Sequence, residues 1–296
     1  MKVLLIGASG QVGRCLSDIL PSTGFEIKLS SRSDIDLLDL DRMEEKIMKF
    51  KPNIIINTAA YTNVDMAESD HYNANRINNT AVLRLAQICK SINSSLIHLS
   101  TDYVFNGQSN TPYSECDETD PLGIYGKTKR LGEIAIQNAM DRFIIIRTSW
   151  IFSEYGNNFL KTMLRLGETN TNLKIVGDQK GQPTCAHDIA NVVLKIINKI
   201  HLGSKDWGVY HYSGNETTSW FNFAQSIFEE RLLIKTSYKI PSLVEISSKE
   251  FKTKAERPMF SVLDNSKIFN IFNVNPSNWK TAIKEVLKKI DADNGL

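Results

Sequence analysis

Short apolar runs alternate with amphipathic stretches through the first half of the chain. Lys2 to Ile6, Glu26 to Leu29, Ile54 to Asn57, Leu96 to Leu99 and Phe143 to Arg147 are rich in Val, Ile and Leu. Near-continuous apolar runs of this length are the pattern of parallel strands covered on both faces. Between them, Gln11 to Leu20, Asp41 to Phe50, Asn75 to Ser91 and Tyr125 to Ala139 carry helical spacing; in the third, Ile77, Ala81, Leu85 and Ile88 trace one stripe. Strand–helix alternation implies right-handed crossovers, so the expected fold is α/β, a doubly wound parallel Rossmann sheet. Beyond Ser149 the rhythm loosens, with more aromatics and turns such as Gly181-Gln182-Pro183. We expect a main domain over residues 1–149 and a smaller C-terminal lobe built from 150–172 and 201–296. One strand–helix unit within 173–200 (Leu173 to Val176, then His187 to Ile200) is expected to return to the main sheet.

Composition narrows the class without naming a function. The 296 residues are 42% hydrophobic and 23% charged, as in an ordinary globular protein. The net charge of +2 makes no electrostatic case for nucleic acid or a membrane surface as partner. Cys15, Cys89, Cys116 and Cys185 lack metal-ligand or redox spacing and read as reduced thiols. The first apolar run is too short for a signal peptide, and no run approaches a membrane span. A cytoplasmic location is expected.

Residues 7 to 13 read Gly-Ala-Ser-Gly-Gln-Val-Gly, directly after a strand and opening a helix. Glycines there let the backbone turn tightly and approach a pyrophosphate, while the helix start supplies N–H donors. Gly7, Ser9, Gly10, Gln11, Val12 and Gly13 are therefore cofactor-binding candidates, against the alternative of a ligand-free structural turn. The spacing is G-x-x-G-x-x-G, not the commoner G-x-G-x-x-G. After the second strand comes Ser30-Ser31-Arg32-Ser33, with no carboxylate until Asp34. Hydroxyls and Arg32 suit a 2′-phosphate, which points to NADPH with NADH possible; Arg32 as a mere solvated cation is the alternative. Asp39 and Leu40 can flank an adenine, or Asp39 can cap the next helix.

The strand Leu96 to Leu99 ends in Ser100-Thr101-Asp102-Tyr103-Val104-Phe105. Strand C-termini in such sheets face the ligand crevice, so Thr101 can offer a hydroxyl to a carbonyl, with Ser100 as competitor. Tyr125 and Lys129 lie four apart in Pro-Leu-Gly-Ile-Tyr-Gly-Lys-Thr-Lys-Arg-Leu-Gly-Glu, residues 121 to 133, and so share one helix face. A neighbouring cation favours the ionised form of a phenol whose ordinary pKa is about 10. This pair is expected to pass a proton near neutral pH.

Glycine turn, hydroxyl and Tyr-x-x-x-Lys occur in the order of the short-chain dehydrogenase/reductases. More narrowly, the chain resembles the dTDP-4-dehydrorhamnose reductase family, an atypical extended branch acting on nucleotide sugars. The resemblance rests on the glycine turn, residues 57 to 68 (Asn-Thr-Ala-Ala-Tyr-Thr-Asn-Val-Asp-Met-Ala-Glu), Ser100 to Phe105, Tyr125 to Lys129, Arg147-Thr148-Ser149-Trp150 and Gly156-Asn157-Asn158-Phe159. Asp178-Gln179, Gly181-Gln182-Pro183-Thr184 and Arg257-Pro258 extend it into the second lobe.

The resemblance implies an oxidoreductase that moves hydride from NADPH to C4 of dTDP-4-dehydro-L-rhamnose, a step toward polysaccharide precursors. The main domain would then bind NADP and the C-terminal lobe the substrate. By similarity Tyr125 is the general acid, Lys129 holds the nicotinamide ribose and lowers the tyrosine pKa, and Thr101 bonds the substrate carbonyl. Ala59, Ala60 and Tyr61 would line the cofactor. Thr62, Val64, Asp102, Trp150, Asn157 and Asn158 would surround the sugar, and Arg257 the diphosphate; core packing is the alternative for Trp150. Two other readings stay open: a reductase of another nucleotide-linked 4-keto-6-deoxyhexose, and a non-catalytic NADP-binding regulatory subunit of the same fold.

Other features read as structural. His98 is a satisfied core histidine, and His71, His187, His201 and His211 have no metal spacing. Asp65 and Glu68 start a helix with a solvated acidic face, and Lys280 to Lys289 is a surface amphipathic helix. Some relatives pair subunits through carboxylates holding a divalent cation. Here the first helix offers Arg14 and Cys15, with no acid before Asp18. No metal is expected, and the chain is a monomer or homodimer.

Overall fold

The computed structural model describes residues 1–293. Five strands open the chain: β1 (Lys2–Ile6), β2 (Glu26–Ser30), β3 (Ile54–Asn57), β4 (Ser95–Thr101) and β5 (Phe143–Thr148). With β10 (Gly208–His211) they form one six-stranded sheet in the order β10-β5-β4-β3-β1-β2. All its pairings are parallel. The order reverses at β1, which lies between β2 and β3. That reversal opens a crevice at the strand C-termini, the place where open α/β sheets bind ligands.

Alternate side chains of each strand feed two apolar layers. Val3, Leu5, Ile54, Ile56, Ile97 and Ile146 pack under α1 (Gln11–Ile19) and α8 (Ala186–His201). Leu4, Ile6, Ile55, Leu96 and Ile145 pack under α2 (Leu40–Phe50), α5 (Ala81–Ser91) and α6 (Ile124–Ala139). A third cluster joins α7 (Phe159–Thr169), α9 (Trp220–Ile234) and α11 (Trp279–Asp293) through Leu160, Met163, Phe223, Ile227, Trp279 and Ile283. Along α11 the lysines at 280, 284, 288 and 289 are exposed while Ile283, Val286 and Leu287 are buried, the expected amphipathic helix.

Two expectations about the elements fail. Asn172–Val176 forms a strand, but it pairs with Ser242–Ile246 in a separate two-stranded sheet. The main sheet takes β10 instead; of the expected returning unit only the helix, α8, packs on that sheet. An alternating burial pattern marks this strand as covered on one face, unlike the strands between two helical layers, which are buried throughout. The helix expected over 75–91 is also broken. After α3 (Val64–Ala67) come α4 (His71–Asn75), a π-helical turn (Arg76–Thr80) and α5. The turn carries Asn78, buried, which accepts from Tyr61 N at 2.8 Å and donates to Tyr61 O at 3.1 Å and Thr128 Oγ1 at 3.2 Å. It thereby ties the loop after β3 to α6. Such π turns recur next to functional sites.

Candidate active site

The glycine turn is built by close approach. A Cβ on Gly13 would stand 2.0 Å from Gly7 O, and Gly7 itself has φ +88. No side chain is compatible with the first contact, and the second backbone conformation favours glycine. The chain thus passes from β1 into α1 tightly enough to leave the crevice open. The first-turn N–H groups of a helix have no intrahelical partner; at the N-terminus of α1 no side chain caps them, and the residues there line the crevice, which leaves them for an anion.

The crevice is a cavity of about 790 Å³. Its wall includes Gly7, Ser9, Gly10, Gln11, Val12, Gly13, Arg32, Ala59, Ala60, Thr62, Val64, Thr101, Asp102, Tyr125, Lys129, Trp150, Asn157 and Arg257. A second hollow of about 1230 Å³ adjoins it, sharing Phe159, Trp220 and Arg257 and lined by Lys174, Lys249, Lys252 and Lys254. Sequence-predicted residues from segments spread between positions 7 and 257 therefore meet around one space.

Four predicted residues do not reach that wall. Asp39 caps α2, accepting from Arg42 N at 3.1 Å, and Leu40 begins that helix. The preceding loop, with Ile35, Asp36 and Leu37, lines the crevice in their place. Tyr61 turns its hydroxyl to Asp70 at 3.1 Å. Asn158 caps α7 and donates to Gln11 Oε1 at 2.9 Å; it braces the glycine turn from behind. Cap-forming residues and ligand-binding residues share the same polar types, which is why sequence alone did not separate them.

Residues read as bland prove structural in a specific way. Glu68 accepts from Ile124 N at 2.7 Å and so caps the helix that carries Tyr125. Asp65 holds Ala255 N and Arg257, each at 3.1 Å, joining α3 to the loop before residue 258. Arg257 keeps its Nε buried without a partner. Arg32 is largely exposed and pairs with Asp36 at 3.3 Å, so a carboxylate does sit beside it. Trp150 has φ +47 and stacks on Trp220 with ring centroids 3.5 Å apart. The stacked pair edges the cavity, so Trp150 serves both packing and wall. Trp220 and Thr148 were not singled out from sequence as wall residues; Thr148 follows from the register, which aligns it with Thr101, and Ser100, named as the competitor of Thr101, lines the wall as well.

The Tyr-x-x-x-Lys pair lies in the first turns of α6. Burial pushes the Tyr125 phenol up to about 12, with the Thr101 hydroxyl acting against it and the Asp102 carboxylate with it. This corrects the expectation of a lowered phenol. The cause is burial of the phenol itself. Lys129 is 2% exposed, and burial likewise holds its pKa down to about 8, against the pull of Glu133. Lys129 Nζ donates to Leu99 O at 2.6 Å and lies 3.2 Å from His98 Nε2. Glu133 is bound by Arg147 at 2.7 and 3.0 Å and by Ser100 Oγ at 2.5 Å, which anchors α6 to β4 and β5.

Asp102 is 2% exposed and its Oδ2 has no partner, as is also true of Thr148 Oγ1. Burial pushes the Asp102 carboxyl up to about 6. Orphaned polar atoms at a cavity wall are what a ligand would satisfy. The residues present therefore fit a dinucleotide: a turn open to a pyrophosphate at an uncapped helix start, and polar groups short of partners at the strand ends. Among the described residues, no group of three or more His, Cys, Asp or Glu could hold a metal ion. No helix among them is long and apolar enough to cross a membrane.

Comparisons with known proteins agree with this geometry. The family described as RmlD substrate binding domain matches residues 1–292. A protein of Aggregatibacter actinomycetemcomitans named dTDP-4-dehydrorhamnose reductase is 42% identical, with 96% of this chain and 98% of that protein covered. A crystal structure of a dTDP-4-dehydrorhamnose reductase from Clostridium acetobutylicum superposes with a TM-score of 0.91 at 34% identity, covering 98% of this chain and 100% of the other. One from Bacillus anthracis, in complex with NADP, gives 0.89 at 31% identity, covering 97% and 99%. The match runs through both lobes and includes the glycine turn and the Tyr-x-x-x-Lys helix, so the chain belongs to the RmlD substrate binding domain family.

Proposed function

We propose that the protein reduces the 4-keto group of dTDP-4-dehydro-L-rhamnose with NADPH, giving dTDP-L-rhamnose. The observation that carries this reading is the convergence of Thr101, Tyr125 and Lys129 on the cavity that the glycine turn also lines. It is supported by the relatives named for this reaction and by the NADP bound in the Bacillus anthracis structure. When bound, the dinucleotide supplies the hydride.

Each remaining part of the chemistry falls to a side chain. Reduction places negative charge on the former carbonyl oxygen, so a donor must stand there. Tyr125, held protonated by burial at neutral pH, is that donor; an alkoxide is basic enough to take its proton. Thr101 Oγ1 orients the same oxygen and presently donates to Asp102 Oδ1 at 3.0 Å. Lys129 holds the ribose next to the reacting ring. Gly7, Ser9, Gly10, Gln11, Val12 and Gly13 cradle the pyrophosphate, with Arg32 for the 2′-phosphate and Ala59 and Ala60 along the dinucleotide. Thr62, Val64, Asp102, Trp150 and Asn157 surround the sugar, and Arg257 takes the diphosphate, since a guanidinium fits phosphate oxygens bidentately. In this reading residues 1–149, with α8 and β10, form the dinucleotide-binding unit, and the lobe of α7, α9 and α11 holds the substrate.

The test is NADPH oxidation with dTDP-4-dehydrorhamnose beside a panel of other nucleotide-linked 4-keto-6-deoxyhexoses. Highest kcat/KM with the first supports the proposal. Preference for another sugar reassigns the substrate, and no turnover with any favours a binding role. Arg32→Ala tests the cofactor assignment. We expect it to erode the ratio of NADPH to NADH affinity by about tenfold, about 1.4 kcal/mol, when both dissociation constants are measured. An unchanged ratio would remove Arg32 from the site.

A further inference from the structure

The hollow beside the active-site crevice carries a charge that the proposed chemistry does not use. Lys174, Lys249, Lys252, Lys254 and Arg257 line it, against two carboxylates, Asp65 and Glu256, in a chain whose net charge is only +2. The four lysines are exposed. Among the described residues, lysine ion pairs form at Lys2, Lys46, Lys280, Lys288 and Lys289 and at none of these four. Three of the four stand on one loop that is fastened at both ends. Ser248 donates its N–H and its hydroxyl to Asp178 Oδ2, each at 2.9 Å. Asp65 accepts from Ala255 N and Arg257 Nη2, each at 3.1 Å. Lys249, Lys252 and Lys254 are therefore held together at the rim. Like charges so placed repel one another, and an anion entering the hollow relieves that repulsion. The acids nearby are already engaged: Glu250 accepts from Ser247 N and Oγ at 2.9 and 2.8 Å, and Asp65 holds the loop end. Behind the lysines the wall is apolar, with Phe159, Met163, Leu166, Trp220 and Phe251. Low-dielectric walls beneath charges of one sign focus the field into the space between them.

We propose that Lys249, Lys252 and Lys254 form an electrostatic funnel that draws the nucleoside diphosphate part of the substrate into this hollow and delivers it to Arg257. The inference rests on the reading of Arg257 as the diphosphate contact and adds how the ligand arrives there. A nucleotide-linked sugar carries its charge on the two phosphates, so the field pulls on the diphosphate and not on the keto-sugar. Arg257, Phe159 and Trp220 line both spaces. A diphosphate brought to Arg257 therefore leaves its sugar to reach Thr101 and Tyr125 across the shared wall. The lysines act at a distance. A single exposed ion pair contributes about 0–1 kcal/mol, whereas charge of one sign summed over a rim raises association rates by about 10–10³-fold at low ionic strength. The glycine turn lines the crevice and not the hollow, so the funnel acts chiefly on the sugar nucleotide rather than on NADPH.

The test is stopped-flow binding of dTDP to the full chain loaded with NADP⁺, read by tryptophan fluorescence, since Trp220 lines both spaces. Wild type is compared with a variant carrying Lys249→Gln, Lys252→Gln and Lys254→Gln together. Rates are measured at ionic strengths of about 0.01 M and about 1 M, where the Debye length is about 30 Å and about 3 Å. We expect the variant to associate about tenfold more slowly than wild type at low salt and equally fast at high salt, with dissociation rates within about twofold throughout. Equal association rates at low salt overturn the proposal. A deficit that persists at high salt and lies in faster dissociation overturns it too, because it makes the lysines direct contacts. The NADPH dissociation constant of the same preparation reports that the variant is folded. If it is not, Lys252→Glu carries the test, since reversing one exposed charge is expected to slow association at low salt by about threefold. Binding of dTDP needs no turnover. Wild-type protein that fails to bind it overturns the reading of Arg257, whereas binding at equal rates overturns the funnel alone.

Discussion

Tyr125→Phe is expected to lower kcat by about 10²–10⁴-fold while leaving the dissociation constant for NADPH almost unchanged. The substitution removes one oxygen, and general acid catalysis by a positioned group contributes about that factor. The ring itself keeps its place, since Tyr125 packs edge-on against Tyr103 with centroids 5.8 Å apart. Loss of kcat with intact dinucleotide binding is the signature of an interaction made only as charge develops. Steady-state kinetics and a fluorescence titration of NADPH, run on the same preparation, separate the two terms. A variant with wild-type kcat would move the proton donor elsewhere, and Asp102, with its carboxyl raised to about 6, would be the next group to examine.

Gly13→Ala is expected to weaken NADPH binding by about 100-fold or more, and to lower the thermal midpoint. The added Cβ would stand 2.0 Å from Gly7 O and 2.9 Å from Ala8 Cα. These are backbone atoms, so relief requires moving the whole turn. Overpacking of this kind costs about 1–3 kcal/mol, and the upper part of that range corresponds to about 100-fold in affinity. The displaced backbone is the same backbone that must approach the pyrophosphate, so stability and binding fall together. An alanine variant with wild-type affinity would show that the turn does not cradle the dinucleotide.

Much of the fold was legible because its signals are local. Four buried strands and the helices between them follow from apolar periodicity, and the glycine spacing located the turn between β1 and α1; β2, also expected to be buried, is a partly exposed strand at the sheet edge. What escaped depends on distant partners. The sixth strand, Gly208–His211, is too short and too mixed in sequence to be assigned without its neighbour β5. The break near Asn78 comes from contacts to Tyr61 and Thr128 that no periodicity encodes. At the site, most residues of the sequence motifs line the crevice. Tyr61 and Asn158, placed at the ligand from sequence, engage protein partners instead, and Asp39 takes the capping role that the sequence left open beside the adenine. His98 is the satisfied core histidine the sequence suggested, buried and with both ring nitrogens partnered, but its partners Asn57 and Lys129 come from other elements and could not be read locally.

A crystal structure of the complex with NADPH and a dTDP-sugar tests the central claim most directly. The account predicts the nicotinamide ring within the cavity, with the Tyr125 hydroxyl within hydrogen-bond reach of the C4 oxygen of the sugar and Lys129 Nζ on the ribose. A nicotinamide ring bound away from Tyr125, with Thr101 and Lys129 touching neither sugar nor ribose, would contradict it.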